Sequence, residues 1–123
     1  MAEEPREIKT AAGDVYFGTQ RDGRPHGSGK LTLKDGDVYE GEFNDGQRHG
    51  QGKMVMANGQ EYDGMWKEGI PNGTGREVSA AGDVFEGEFL QGKKHGQGKL
   101  VKKSGVTYEG AWEQGVPHGP GVE

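Results

Sequence analysis

Residues 39–54 read YEGEFNDGQRHGQGKM, and residues 85–100 return the pattern as FEGEFLQGKKHGQGKL. Each stretch holds four glycines, although glycine inside a strand or helix costs roughly 0.5–1 kcal/mol relative to alanine. The spacing of those glycines extends to the whole chain. Blocks beginning at Gly13, Gly36, Gly59, Gly82 and Gly105 succeed one another every 23 residues, and each carries glycine at its columns 1, 6, 11, 15 and 17. All 25 glycines of the 123-residue chain fall in these columns. Glycine is therefore a periodic structural device here, and the chain is a repeat protein.

The other columns keep the same register. Column 4 is Tyr16, Tyr39, Tyr62, Phe85 and Tyr108; column 8 is Gln20, Phe43, Trp66, Phe89 and Trp112. Nine of the ten aromatic residues lie in these two columns, Phe17 being the exception. Column 14 is His26, His49, Asn72, His95 and His118. A longer period is superposed on the first. Blocks two and four agree at 14 of 23 positions, whereas blocks one, three and five carry proline at column 13 (Pro25, Pro71, Pro117), which makes the larger unit 46 residues.

Columns 3 to 8 alternate between aromatic or glycine and mostly acidic residues, the period of a strand. Columns 15 to 20 form a second strand. The links RDG, NDG, KEG, LQG and EQG, and the junctions KDG, ANG, AAG and KSG, are short turns closing on glycine, of the kind expected in three-to-five-residue hairpin loops. Short links force antiparallel neighbours. The fold class that follows is all-β: a meander of about ten strands, roughly 45–50 Å long at ~4.8 Å per strand. Glycines at columns 6, 15 and 17 leave flat backbone over which a ring from an adjacent strand can lie. Leu31, Met54 and Leu100 fill in around the rings. On the opposite face, Lys30, Lys53, Arg76 and Lys99 are expected to alternate with Glu40, Glu42, Asp63, Glu86, Glu88 and Glu109 across strands as a charge ladder. Residues 1–12 form a polar extension expected to lack order. The repeat domain is 13–123, with repeats at 13–35, 36–58, 59–81, 82–104 and 105–123.

Composition excludes several classes of function. Leu, Ile, Val and Phe make up only about 15% of the chain, low enough to argue against a thick core. No cysteine is present, so disulfides and cysteine-based zinc sites are excluded. MAEEPREIKT at the N-terminus has no apolar run of the signal-peptide kind, and no window approaches 18 apolar residues; the expected location is cytoplasmic. A net charge of −5 argues against nucleic acid as a partner. Ser28, Ser79 and Ser104 are the serines, and no nucleophile elbow surrounds them. GSGK at 27–30 and GQGK at 50–53 and 96–99 lack the spacing and the following Ser/Thr of a phosphate loop. Same-column histidines stand two strand spacings apart, about 9–10 Å, too far to share a zinc ion held at roughly 2 Å; they are expected to order turns. No enzyme activity, cofactor or metal is expected.

The strings YEGEFNDGQRHGQG, FEGEFLQGKKHGQG, YEGAWEQGVPHGPG, the variant YDGMWKEGIPNGTG and the weaker first copy YFGTQRDGRPHGSG resemble the MORN repeat (membrane occupation and recognition nexus) over residues 13–123. The resemblance implies an elongated, twisted, single-layer antiparallel sheet of stacked β-hairpins. It also implies binding and scaffolding roles at the cytoskeleton, cilium or membrane periphery, with dimerisation through repeat ends in some relatives.

Two binding surfaces are suggested. The aromatic columns would form a groove lined by Tyr39, Phe43, Tyr62, Trp66, Phe85, Phe89, Tyr108 and Trp112, able to take a helix or extended peptide of another protein. Replacing Tyr62 or Trp66 would then weaken the partner while the fold survives. The alternative is an anionic lipid surface met by basic loop tips at Arg48, Lys93 and Lys94. Self-assembly into a homodimer through the open sheet ends is compatible with either.

Overall fold

The computed structural model describes the backbone of residues 3–122 and the side chains of residues 4–118. The strands are β1 (Glu3–Lys9), β2 (Val15–Arg21), β3 (Arg24–Thr32), β4 (Val38–Asn44), β5 (Gln47–Val55), β6 (Glu61–Lys67), β7 (Ile70–Val78), β8 (Val84–Leu90), β9 (Lys93–Val101), β10 (Thr107–Glu113) and β11 (Val116–Val122). They lie side by side in chain order as one 11-stranded antiparallel sheet, and no helix occurs among the described residues. The all-β single-layer meander expected from the repeat is therefore the fold.

Register explains the glycines. Gly18 pairs with Gly29, Gly29 with Gly41, Gly41 with Gly52, Gly52 with Gly64, and so on to Gly98 with Gly110 and Gly110 with Gly121. Columns 6 and 17 thus form one unbroken glycine row running across β2 to β11. The column 4 rings lie on it: a methyl group placed on Gly29, Gly52 or Gly75 would overlap the ring of Tyr16, Tyr39 or Tyr62, and one on Gly98 the ring of Phe85. No residue other than glycine fits beneath them.

The ring side of the sheet holds the core. Tyr16, Tyr39, Phe43, Met54, Tyr62, Trp66, Phe85, Phe89 and Trp112 are buried there, with Ile8, Leu31, Met56, Leu100 and Tyr108 packed against them. On the other side the ladder closes in perfect alternation of sign: Lys30–Glu40–Lys53–Asp63–Arg76–Glu86–Lys99–Glu109 are successive cross-strand partners, all exposed. The ladder is one of register rather than of close contact, since the Lys53 ammonium sits 3.6 Å from Glu61 instead.

Two expectations are corrected. The junctions between repeats have five residues, such as 33–37 between Thr32 and Val38, but the links within each repeat have two, not three to five. Asn44 pairs with Gln47 around Asp45 and Gly46, whose φ angles are 47° and 88°, the two positive values of a type I′ turn. Secondly, the extension expected to lack order supplies β1, an eleventh strand. Arg6 and Ile8 face the ring side at period two: Ile8 pairs with Tyr16 and Arg6 reaches Gln20 Oε1 at 3.3 Å. The junction after β1 copies the later ones, because Thr10 N–H donates to Asp14 O at 2.9 Å as Leu33 does to Asp37 and Met56 to Gln60. β1 is half a repeat without its glycines.

These contacts set an order of sensitivity. Gly52→Ala must displace the Tyr39 ring, an overpacking that costs on the order of 3 kcal/mol. Gly46→Ala meets nothing within 4 Å and bears only a left-handed backbone cost of roughly 1–2 kcal/mol. Urea unfolding of the two variants is expected to rank them in that order.

Candidate functional site on the ring face

The rings form a zigzag in which every contact is edge-to-face. The run is Tyr16–Phe43 (5.1 Å between centroids), Phe43–Tyr39 (5.0), Tyr39–Trp66 (5.2), Trp66–Tyr62 (5.1), Tyr62–Phe89 (4.9), Phe89–Phe85 (5.4), Phe85–Trp112 (5.0) and Trp112–Tyr108 (5.4). Such pairs add about 0.5–1.5 kcal/mol each beyond the area they bury. Their polar atoms are spent locally. The hydroxyls of Tyr39 and Tyr62 donate to the carbonyls of Glu42 and Met65, both at 2.8 Å, and that of Tyr108 to Ala111 O at 3.1 Å. The indole N–H groups of Trp66 and Trp112 donate to Gly52 O and Gly98 O at 2.9 and 3.2 Å.

Of the eight groove residues suggested by the sequence, seven are therefore buried (Tyr39, Phe43, Tyr62, Trp66, Phe85, Phe89, Trp112), and Tyr108 is half-buried. They share one face but are its core, their faces taken by glycine backbone and by one another. Substituting Tyr62 or Trp66 consequently tests the fold first, since Trp→Ala in a core costs about 3–5 kcal/mol. What a ligand would touch is the layer above the rings.

Arg48 and Lys94 belong to that layer. Column 13 pairs directly with column 8 of its own hairpin: Phe43 with Arg48, Trp66 with Pro71, Phe89 with Lys94, Trp112 with Pro117. A large ring faces proline and a smaller ring faces a long cation. The cations then reach sideways over the next repeat. The Arg48 guanidinium lies 4.9 Å from the Trp66 ring centre and 5.9 Å from that of Tyr39 and donates to Gly69 O at 2.8 Å. The Lys94 ammonium lies 5.4 Å from Phe85 and 5.9 Å from Trp112. It also meets Glu77 at 2.9 Å. Glu77 stands in the row otherwise filled by Leu31, Met54 and Leu100, and its pairing with Lys94 was not foreseen. The signal was there: in a column that reads Leu31, Met54, Glu77, Leu100 and Glu123, an acid interrupts the apolar residues beside the repeat that carries the lysine.

Of the three residues suggested for lipid headgroups, then, Arg48 and Lys94 are half-buried over rings, and Lys93 is exposed at the hairpin end. The histidine column keeps turns in order as expected, at least at His26: its Nδ1 accepts from Asp45 N–H at 3.2 Å, and Asn72 Oδ1 accepts from Gln91 N–H at 3.1 Å in the same way. No group of three His, Asp or Glu residues among those described is placed to hold a metal ion. The Gln20 amide occupies the first column 8 position, fully buried, and its Nε2 has no hydrogen-bond partner among the described residues.

A concavity of about 630 Å³ lies over the end of repeat three and repeats four and five. Leu100, Tyr108, Trp112 and Pro117 form its apolar part; Glu77, Lys94, Asp83 and Lys102 are its charged groups.

A single open sheet of stacked hairpins, one face charged and the other ringed, defines a repeat protein built to present surface. The family model of the MORN repeat matches residues 16–38, 39–61, 62–84, 85–107 and 108–123, and the chain belongs to the MORN-repeat family. MORN repeats form a non-catalytic family whose members are generally protein- or membrane-interaction modules. A search of curated proteins returned no match.

Burial perturbs the titration of this face. It pushes the phenols of Tyr39 and Tyr62 from 10 up to about 12, and it lowers the Arg48 guanidinium against the opposing pull of Tyr39. A phenol raised in the folded state favours folding while neutral; that contribution is complete below pH 10 and is lost as pH climbs through about 12. Thermal melts are thus expected to fall steeply between those values. The Tyr39→Phe/Tyr62→Phe double variant is expected to start lower, for want of two hydrogen bonds, and to fall less over the same interval.

Proposed function

We propose that this protein is a non-enzymatic scaffold that binds another protein, as a helix or extended segment, along the ring face. The observation that carries the reading is the asymmetry of the two faces. The ladder face carries a row of alternating exposed charges from Lys30 to Glu109, with single exposed apolar residues such as Phe17 and Met65 beside it, the pattern of a solvated surface. The ring face leaves Leu31, Met56, Leu100 and Tyr108 half-covered on a rigid aromatic floor, with Arg48 and Lys94 above it. A preordered apolar floor with a few placed charges costs little entropy to dock on. The family's general role as an interaction module supports the same reading, in a cytoplasmic setting at the cytoskeleton, cilium or membrane periphery. Lipid binding is less favoured, since two of the three candidate basic residues are turned over rings.

The test compares the faces. Leu31→Glu with Arg48→Glu changes the ring face; Glu40→Lys with Lys53→Glu swaps charges within the ladder. In capture from a cytosolic extract, a stoichiometric partner is expected to be lost at least tenfold with the first double variant and retained with the second, both having native circular dichroism. Equal retention by both would remove the ring face as the binding surface.

A further inference from the structure

The two 46-residue units place a cation in the same frame and complete it differently. Arg48 and Lys94 both occupy column 13, and each stands opposite a phenylalanine, Phe43 and Phe89. Each reaches over the column 4 ring of its own repeat and the indole of the next: Arg48 over Tyr39 and Trp66, Lys94 over Phe85 and Trp112. In the second unit a carboxylate closes the arrangement, Glu77 lying 2.9 Å from the Lys94 ammonium. Glu77 is held on β7 as the cross-strand partner of Phe85. In the first unit the corresponding residue is Leu31, the cross-strand partner of Tyr39. The break in the apolar column at Glu77 thus shows what Arg48 lacks.

Arg48 meets no carboxylate among the described residues. Of the five N–H donors of a guanidinium, one group is spent on Gly69 O at 2.8 Å, and the others find no protein acceptor among the described residues. The side chain is half-buried over Trp66, so it has shed water on its ring side without gaining a counter-charge. A partly desolvated cation of this kind gains more from an anion than one in open solvent.

We propose that Arg48 is the receptor for a carboxylate side chain of a partner protein, which takes in the first unit the place that Glu77 holds in the second. This rests on the ring-face reading above and names the partner's chemistry: an acidic residue next to an apolar one, the acid on the Arg48 fork and the apolar side chain against Leu31. Carboxylate and guanidinium match as two parallel forks. The chain's own example at Lys94 is a protein carboxylate on the same ring floor, which favours a protein donor over a phosphate headgroup. Lipid recognition draws on clusters of about four to eight cations, whereas Arg48 stands among rings.

In a ¹⁵N–¹H spectrum of the full chain, the Arg48 Nε–H and the Trp66 indole N–H report the site. The Trp112 indole, beside the closed Lys94–Glu77 pair, reports background. Titration with acetyl-Leu-Glu-Leu-amide is expected to shift the first two saturably, with a dissociation constant on the order of 1–10 mM, and to leave Trp112 in place. Acetyl-Leu-Gln-Leu-amide is expected to bind at least tenfold more weakly. Leu31→Glu, which supplies the acid from within, is expected to move the Arg48 signal by itself and to abolish the peptide shifts. Glu77→Leu, the converse change, is expected to bring Trp112 into response. Arg48→Gln serves if Leu31→Glu gives no native spectrum, and is expected to abolish the Trp66 shift. Absence of saturable shifts, equal binding of the glutamine peptide, undiminished binding to natively folded Leu31→Glu protein, or a silent Trp112 in the Glu77→Leu protein would overturn the proposal. So would a response of Arg48 to phosphatidylglycerol vesicles but not to the peptide, or to raised protein concentration alone; the first would assign the cation to a membrane and the second to another copy of the chain. If the peptide fails while the Leu31→Glu, Arg48→Glu protein still loses its captured partner, the carboxylate site falls and the scaffold reading stands.

Discussion

Everything in this sheet depends on a ring lying flat on glycine. The contact does two things at once. It covers backbone that a strand glycine would otherwise expose, and it lets a single layer of rings serve as a core without a second layer of secondary structure to press against it. Each tyrosine and tryptophan of the stack also donates its hydroxyl or indole N–H to a nearby carbonyl, as Tyr39 does to Glu42 and Trp66 to Gly52, so few buried polar groups are left over. The glycine row has to be continuous because the rings are: a side chain at any point of it would lift one ring and break the edge-to-face contacts on both sides.

The 46-residue period is a volume exchange laid over this constraint. Each hairpin must fill the space between its column 8 ring and the ring of the next repeat. Trp66 and Trp112 fill it with indole and face compact Pro71 and Pro117; Phe43 and Phe89 leave it short and face Arg48 and Lys94, whose stems and charged heads extend over the neighbouring rings. Glycine turn N–H groups tie the arrangement together identically in both kinds of repeat: Gly46, Gly69, Gly92 and Gly115 donate to the carbonyls of Pro25, Arg48, Pro71 and Lys94 at 2.8–3.0 Å. Proline is tolerated at column 13 because the group used there is the carbonyl, not the amide.

That logic explains what the sequence disclosed and what it did not. The glycine columns were legible because they repeat without exception, and the aromatic and ladder columns because they break only at the first repeat, at Gln20 and Phe17, among residues 13–121; a repeated local rule specifies register by itself. The alternating strand pattern and the short links then left the antiparallel meander as the fold. β1 was not legible because it has neither glycine nor aromatic residue; its pairing is fixed by Ile8 and Arg6, two residues in a polar run. The two-residue turns were obscured because Asp22, Asp45, Glu68, Gln91 and Gln114 all take positive φ, and Glu and Gln do not announce that conformation as Asn does. The aromatic columns were easily found and too readily taken for an open groove, since one sequence pattern serves both a core and a binding face. Only burial separates the two.

Burial also locates where such a face has anything left to offer. A ring between two others, over glycine, has its apolar surface fully used, and a ligand adds little by touching its edge. Affinity must come from positions where the repeat rule is broken or incomplete. Two are present among the described residues: Gln20, where an amide replaces a ring; and Glu77, where an acid replaces an aliphatic residue and captures Lys94. Gln20 is sealed under the sheet's first hairpin with 0% exposure, and Glu77 has already found its partner at 2.9 Å. The pair is still 23% exposed on each side, so a ligand approaching this face meets a charge pair set on an apolar floor rather than the rings themselves.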